Sequence, residues 1–465
     1  MKQIFAVLVF FLFLLKGRAQ QDSSFIRRLD TPPLSVLQVD MQVKLSCDHS
    51  RALAWLRFFD STDHQLLEYQ GGSIAGTSFT NTGFYTETPP NARYAVVSVE
   101  GDSGVTGKIS VDSFKTVLEA GSSAKKYSPL CDLDQYMLPF WKSDTIYNET
   151  ILLMSENGAA ATGRLLFTPA KILSVKSFDL KTNYSKTTDY ALNGRTITRR
   201  KNSKMPFRTD TSFDTKNNLA WYNLQSQWIV VTYTHKDHWA GTAPVFKANK
   251  LPRTLSKLKA KSPLNIVAYG MSITRGLDVS GYDKVAPYMP TYVELFAHAL
   301  KEMYGDDKIS MYNAGLPGAV VSWGAEYADQ YINPLKPDLL IIDFGMNDFW
   351  RFTPVEFKAY IETIIKKVRA ANPETEFLLL SNLKFDPDYV LDSDKNKAFY
   401  QGNLLGYANV LKQMETAGII NLDMTTLSGI IYSRKKAKDC LANPLHPNDY
   451  MARWYAQGMA ALFQQ

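Results

Sequence analysis

Cysteine is scarce in this chain: Cys47, Cys131 and Cys440 are the 3 cysteines among 465 residues. An odd count at wide, irregular spacing excludes a disulfide framework and supplies no metal-ligand pattern. The three read as buried free thiols. Histidine is nearly as sparse, 6 in all, and only His235 and His238 lie close together, in Thr234-His235-Lys236-Asp237-His238. At the end of an apparent strand that pair shares no helical face and has no third ligand, so neither a metal nor a cofactor is called for. Charge of one sign is also lacking. The net charge is +7, and the densest basic patch is the short Arg199-Arg200-Lys201, which argues against a nucleic-acid partner. Beyond the N-terminus no apolar run approaches about 18 residues, so no membrane span is expected.

What is present suits packed cores: 45% of residues are apolar, 12% aromatic and only 21% charged, which excludes bulk disorder. At about 100–200 residues per domain, the length predicts two to four domains. The N-terminus reads as an export signal. Lys2 precedes an apolar run from Ile4 to Leu15, too short to span a bilayer, and Gly17 and Ala19 suit cleavage after residue 19. No cysteine follows the run, so a lipid anchor is not supported. A periplasmic or secreted protein is expected.

From about residue 24 to 255 long helical periods are missing. Short β-branched and aromatic runs recur instead, among them Val43–Ser46, Tyr94–Val99, Ile172–Val175 and Trp228–Tyr233. This predicts a β-sandwich module over 24–120 and a second β-rich module over 121–255, with the two as one unit the alternative. Gly121–Lys126 is the expected joint. After a Lys- and Pro-bearing linker, Lys250–Pro263, strands alternate with helices. Strands are predicted at Asn265–Tyr269, Lys308–Tyr312, Asp338–Phe344, Glu376–Leu380 and Ile419–Leu422. Helices are predicted at Thr291–Tyr304, Val355–Ala371, Asn396–Ala417 and Tyr450–Phe463. That alternation predicts an α/β domain over 256–465 with a doubly wound, flavodoxin-like parallel sheet.

Four short motifs fall at the ends of these elements. Gly270-Met271-Ser272-Ile273-Thr274-Arg275-Gly276 follows the first strand and Asn313-Ala314-Gly315-Leu316-Pro317-Gly318 the second. Phe344-Gly345-Met346-Asn347-Asp348 follows the third, and Asn443-Pro444-Leu445-His446-Pro447 precedes the last helix. Together, in this order, they resemble the four blocks of the SGNH (GDSL-like) hydrolase superfamily. The resemblance covers about residues 262–465. It implies Ser272 as nucleophile and His446 as general base. Ser272 and Gly318 through their backbone N–H groups, and Asn347 through its side-chain amide, would form the oxyanion hole.

The chemistry fits those residue types. A serine hydroxyl needs an adjacent base to become a nucleophile, and attack on an ester develops an oxyanion that preorganised N–H donors stabilise. Two positions depart from the family pattern. Met271 stands where the first block has aspartate, and Asn443 stands where the triad acid is expected. The site is therefore expected to work as a dyad, with Asn443 orienting His446 and with Asp439 and Asp423 as substitute acids. Arg275, Trp323 and Trp350 are the candidate substrate-binding side chains. The expected activity is hydrolysis of acetyl or other short acyl esters, with an acylated carbohydrate as the substrate. A lipid or thioester hydrolase, and a sugar-binding protein with an impaired hydrolase domain, are the alternatives.

Overall fold

The computed structural model describes residues 21–464 except 23, 33–34, 47–50, 64, 76, 89–91, 102–107, 121–129, 210–223, 284 and 389–393. The expected export signal, Cys47 and the expected joint at 121–126 lie outside these residues. The chain divides into two compact units, residues 1–125 and 126–465.

The first unit is all β: β1 (Gln21–Asp22), β2 (Ser24–Asp30), β3 (Ser35–Leu45), β4 (Arg51–Phe59), β5 (Gln65–Ala75), β6 (Thr80–Glu87), β7 (Tyr94–Gly101) and β8 (Ile109–Ala120). They form two antiparallel sheets, ordered β1-β8-β3-β6 and β2-β7-β4-β5, which is jelly-roll topology. Alternation sets the inner faces. Leu37, Val39, Met41, Val43 and Leu45 of β3 are buried, as are Ala52, Ala54, Leu56 and Phe58 of β4. Phe25 and Phe114 pack 5.4 Å apart between the sheets.

The second unit opens with α1 (Leu133–Tyr136), β9 (Thr145–Leu152), β10 (Met154–Ser155), β11 (Thr162–Arg164), β12 (Pro169–Ser177), β13 (Tyr190–Asn193), β14 (Thr196–Arg199), β15 (Arg208–Thr209) and β16 (Trp228–His235). These make a three-stranded antiparallel sheet, β12-β16-β9, and a five-stranded sheet, β13-β14-β11-β10-β15. There follow α2 (Pro252–Ala260), β17 (Leu264–Gly270), α3 (Ser272–Arg275), α4 (Tyr292–Tyr304), β18 (Ile309–Gly315), α5 (Val321–Tyr331), β19 (Leu339–Asp343) and α6 (Pro354–Ala371). The set ends with β20 (Glu376–Ser381), α7 (Asp394–Gln413), β21 (Ile419–Asp423), α8 (Met424–Tyr432) and α9 (Asp449–Ala461). The last five strands are parallel in the order β18-β17-β19-β20-β21, the flavodoxin-like order. Helices on both faces explain why β19 and β20 are buried at every residue.

Local chemistry places the helix starts. Thr291 with Glu294 and Thr353 with Glu356 form capping boxes at α4 and α6, each cap worth about 1 kcal/mol. Among the described residues five helices lie outside the sequence expectations, two of them, α1 and α3, single turns. α2 occupies most of the expected linker, because Pro252 suits a first helical turn and Leu258 packs inward. The others are α5 and α8. Among the described residues no helix is long and apolar enough to cross a membrane.

The expected cut at 255/256 is not a boundary between compact units, since residues 126–255 belong with the parallel sheet. The reason is polar as well as apolar. Lys435 Nζ meets Glu149 Oε1 of β9 at 2.5 Å with both side chains fully buried. Arg453 of α9 donates to the Tyr147 and Asn148 carbonyls at 2.7 and 2.8 Å. Removing one partner of a buried ion pair costs about 3–5 kcal/mol, so these contacts cannot be opened cheaply.

Candidate active site

β17, β18 and β19 end level with one another: Gly270 is paired with Gly315 on one side and Asp343 on the other. Their loops therefore leave together, at the point where the strand order reverses. Gly270 is obligatory there, because a Cβ would lie 2.1 Å from Thr274 Oγ1 and 2.2 Å from the Asp343 carbonyl. Met271 is extended and Ser272 begins the single turn α3. The Met271 N–H donates to Thr274 Oγ1 at 3.0 Å, and that hydroxyl donates to Asp343 Oδ2 at 2.8 Å. Asp343 also accepts from Tyr292 OH and Asn382 Nδ2, both at 2.7 Å. Burial nonetheless pushes its carboxyl up to about 6. The turn is held from behind, and the Ser272 N–H, first in a helical turn, has no intrahelical acceptor.

Ser272 Oγ lies 2.8 Å from His446 Nε2. On the other side of the ring, His446 Nδ1 lies 2.5 Å from Asp278 Oδ2. A carboxylate can only accept, so Nδ1 carries the proton and Nε2 is left to accept from the serine hydroxyl. Asp278 stands in the loop just after the nucleophile, with φ of 65°. That left-handed conformation is strained for a residue with a Cβ and turns the carboxylate toward the ring.

Asn443 is a brace between the two loops. Its Oδ1 accepts the N–H groups of Leu445 and His446, each at 2.9 Å, and its Nδ2 donates to Asp278 Oδ2 at 2.7 Å. Nδ2 also lies 2.8 Å from His446 Nδ1, but both are donors there and no bond results. The acid loop has further ties. Ser280 bonds Asp449 twice, N–H to Oδ1 at 2.8 Å and Oγ to Oδ2 at 2.6 Å. Gln225 Nε2, just ahead of β16, donates to Asp283 Oδ2 at 2.6 Å. Burial, and then the charge of Asp278, push the Asp283 carboxyl up to about 6.

The remaining two motifs meet one another. Asn347 Nδ2 donates to the Ala319 carbonyl at 3.0 Å, and the buried Asp348 accepts the Val321 N–H at 2.8 Å. Gly318 has φ of 79°, with open space where a Cβ would stand. A primary amide has a second hydrogen, so Asn347 can bond Ala319 and still serve an oxyanion.

Residues 268–454 match the GDSL-like Lipase/Acylhydrolase family. These residues are an SGNH (GDSL-like) hydrolase domain. Among solved structures, the chain is similar to a two-domain esterase active on acetylated mannans, co-crystallised with mannopentaose. That match has 22% identity and a TM-score of 0.37, over 47% of this chain and 53% of that one, so it spans about half of the esterase. It is similar to Axe2, an acetylxylan esterase from Geobacillus stearothermophilus, at 15% identity over 44% of this chain and 99% of that one, TM-score 0.35. It is also similar to LAE5, an alpha/beta hydrolase enzyme from the metagenome of Lake Arreo, Spain, at 18% identity over 43% and 96%, TM-score 0.33. No curated protein matches the chain.

Within the SGNH domain, the structure corrects several expectations. The acid partner of His446 is Asp278, neither Asn443 nor the two proposed substitutes. Asp423 caps α8, accepting the Thr426 N–H at 2.9 Å. Asp439 is buried and accepts the Leu152 N–H at 2.7 Å. Sequence reasoning looked for an acid three residues before the histidine and then at Asp439 and Asp423. Asp278, the first carboxylate after the nucleophile turn, was not weighed. Arg275 is an interior residue, with Nη1 donating to the Asn313 carbonyl at 3.3 Å and a bond to the Tyr282 phenol. Trp323 is half-buried against Tyr269, Tyr327 and Tyr331, with ring centroids 5.9, 5.5 and 5.3 Å away. Trp350 differs: it is 37% exposed and meets Phe349 edge-on. His235 stacks on Phe167 at 4.0 Å, and no cluster that could hold a metal occurs among the described residues. Cys131 and Cys440 are buried free thiols, and burial raises both.

Proposed function

We propose that the protein is a serine esterase that removes acetyl or other short acyl groups from a polysaccharide or oligosaccharide outside the cytoplasm. The observation that carries this reading is the continuous relay from Ser272 through His446 to Asp278. As the Ser272 oxygen attacks the ester carbon, His446 Nε2 takes its proton. Asp278 keeps the ring in the required tautomer and stabilises the imidazolium. The Ser272 and Gly318 N–H groups and the Asn347 amide receive the oxyanion, each such donor being worth about 2.7–4 kcal/mol. His446 then returns the proton to the sugar oxygen as the acyl–enzyme forms. Water, deprotonated by the same nitrogen, releases the acid. With Asp278 beside the ring, the motive for an impaired site disappears. The sugar part of the reading rests on Trp350, an exposed flat ring beside the Asn347 turn, and on the export-type N-terminus.

Ser272→Ala is expected to lower kcat on p-nitrophenyl acetate by about 10⁴–10⁶ and to abolish labelling by a fluorophosphonate. Asp278→Asn is expected to cost about 10⁴. A Ser272→Ala enzyme keeping a tenth of the wild-type rate would sink the reading. Acetate release from acetylated mannans and xylans tests the substrate class. Preference for long-chain over acetyl aryl esters would point to a lipid instead.

A further inference from the structure

We propose that Thr150, Trp228, Asp439 and Asn448 form a positioning device for His446, which makes the antiparallel sheet part of the catalytic machinery. The inference rests on His446 being the general base.

His446 sits at the tip of a narrow loop closed on itself. The Ala442 N–H donates to the His446 carbonyl and the Asn448 N–H to the Cys440 carbonyl, both at 3.0 Å. Leu441 and Pro447 form a bridge between them. The base of the loop is fastened to β9. Thr150 Oγ1 donates to the Asp439 carbonyl at 2.6 Å, and Asn448 Nδ2 donates to the same carbonyl at 2.9 Å and to Thr150 Oγ1 at 3.1 Å. The Leu152 N–H donates to Asp439 Oδ1 at 2.7 Å, and Trp228 Nε1 donates to the Lys438 carbonyl at 3.1 Å. All of these are buried. Ala442 of the loop belongs to one apolar cluster with Leu152, Met154, Phe178 and Trp228.

β9 is the edge strand of its sheet, and an edge carries backbone groups with no strand to pair them. Here the histidine loop takes that place. The Leu152 N–H goes to Asp439, and the Thr150 carbonyl accepts from Lys435 Nζ at 2.9 Å. A rigid edge thus fixes the height of the loop whose tip carries the base. Gln225, from the segment leading into β16, reaches the acid loop as well, so one sheet registers both halves of the His446–Asp278 pair. Catalytic geometry tolerates little: a misplacement of about 1 Å can cost about 10²-fold in rate.

The test uses the full chain, with kcat and KM on p-nitrophenyl acetate and the rate of fluorophosphonate labelling at Ser272. Thr150→Val removes the hydroxyl at constant shape, Thr150→Ser restores it, and Trp228→Phe removes one donor while keeping a ring. Thr150→Val is expected to lower kcat at least tenfold with KM changed less than threefold, and labelling should slow in parallel. Thr150→Ser should recover to within threefold of wild type. Trp228→Phe is expected to lower kcat at least threefold, and it decides the matter if Thr150→Val does not fold. A folded Thr150→Val or Trp228→Phe enzyme with wild-type kcat overturns the proposal. Wild-type protein that neither labels nor hydrolyses the ester would instead overturn the esterase reading, a distinct outcome.

Discussion

Asn443 shows how much one side chain can decide. Its oxygen gathers two backbone N–H groups of the histidine loop, and its nitrogen donates to Asp278. If it occupied the acid position, a carboxylate there would improve the enzyme. The geometry predicts the reverse. Asn443→Asp would set a second carboxylate against Asp278 Oδ2 where a donor now stands, and like charges that close disfavour one another. We expect kcat to fall at least tenfold at neutral pH, with partial recovery in acid as one carboxyl takes up a proton. A pH–rate profile faster than wild type throughout would contradict the assignment of Asp278. Ser272 and His446, which lie 2.8 Å apart, were legible as a pair in the sequence because each stands in a short motif whose spacing is local. Asp278 was not, because its role depends on a contact across the chain between two loops. Arg275 was misread for a related reason: sequence gives a charge but not the carbonyl and phenol that absorb it.

At the scale of elements, the parallel sheet was readable from apolar strands alternating with amphipathic helices. The place of β9 and β16 was not. Their β-branched pattern identifies strands, but it cannot say that the free edge of β9 will be paired by side chains and loops from beyond residue 430. Two truncations follow. A chain of residues 126–465 is expected to fold and to hydrolyse p-nitrophenyl acetate with kcat within threefold of the full chain. A chain of residues 256–465 would lose Glu149 opposite Lys435 and expose the apolar surface that Trp228 covers. It is expected to be inactive and poorly folded, as circular dichroism and ester hydrolysis would report. Full activity in the shorter fragment would refute this division.

For the molecule as a whole, buried carboxyls set the response to pH. Burial pushes Asp343, Asp283 and Asp439 up to about 6, and Asp348 and Asp449 up to about 7. An unfolded aspartate titrates near about 3.9. Between these values the folded chain holds more protons than the unfolded one. The stability contributed is complete below the unfolded value and is lost as pH rises through 6 to 7. The thermal midpoint is therefore expected to fall between pH 5 and pH 8. Asp348→Asn should flatten part of that fall, since one carboxylate oxygen has no partner. Calorimetry showing a midpoint that rises over this interval would contradict the account. Order along the chain matters too. Every residue of α9 is buried, and α9 follows His446 directly. A chain still leaving the ribosome thus presents Ser272 and Asp278 long before it can supply a base or close the core over the strands. Ser272 therefore has no base to pair with until residue 446 has been added, and the helix that closes this core is made directly after it.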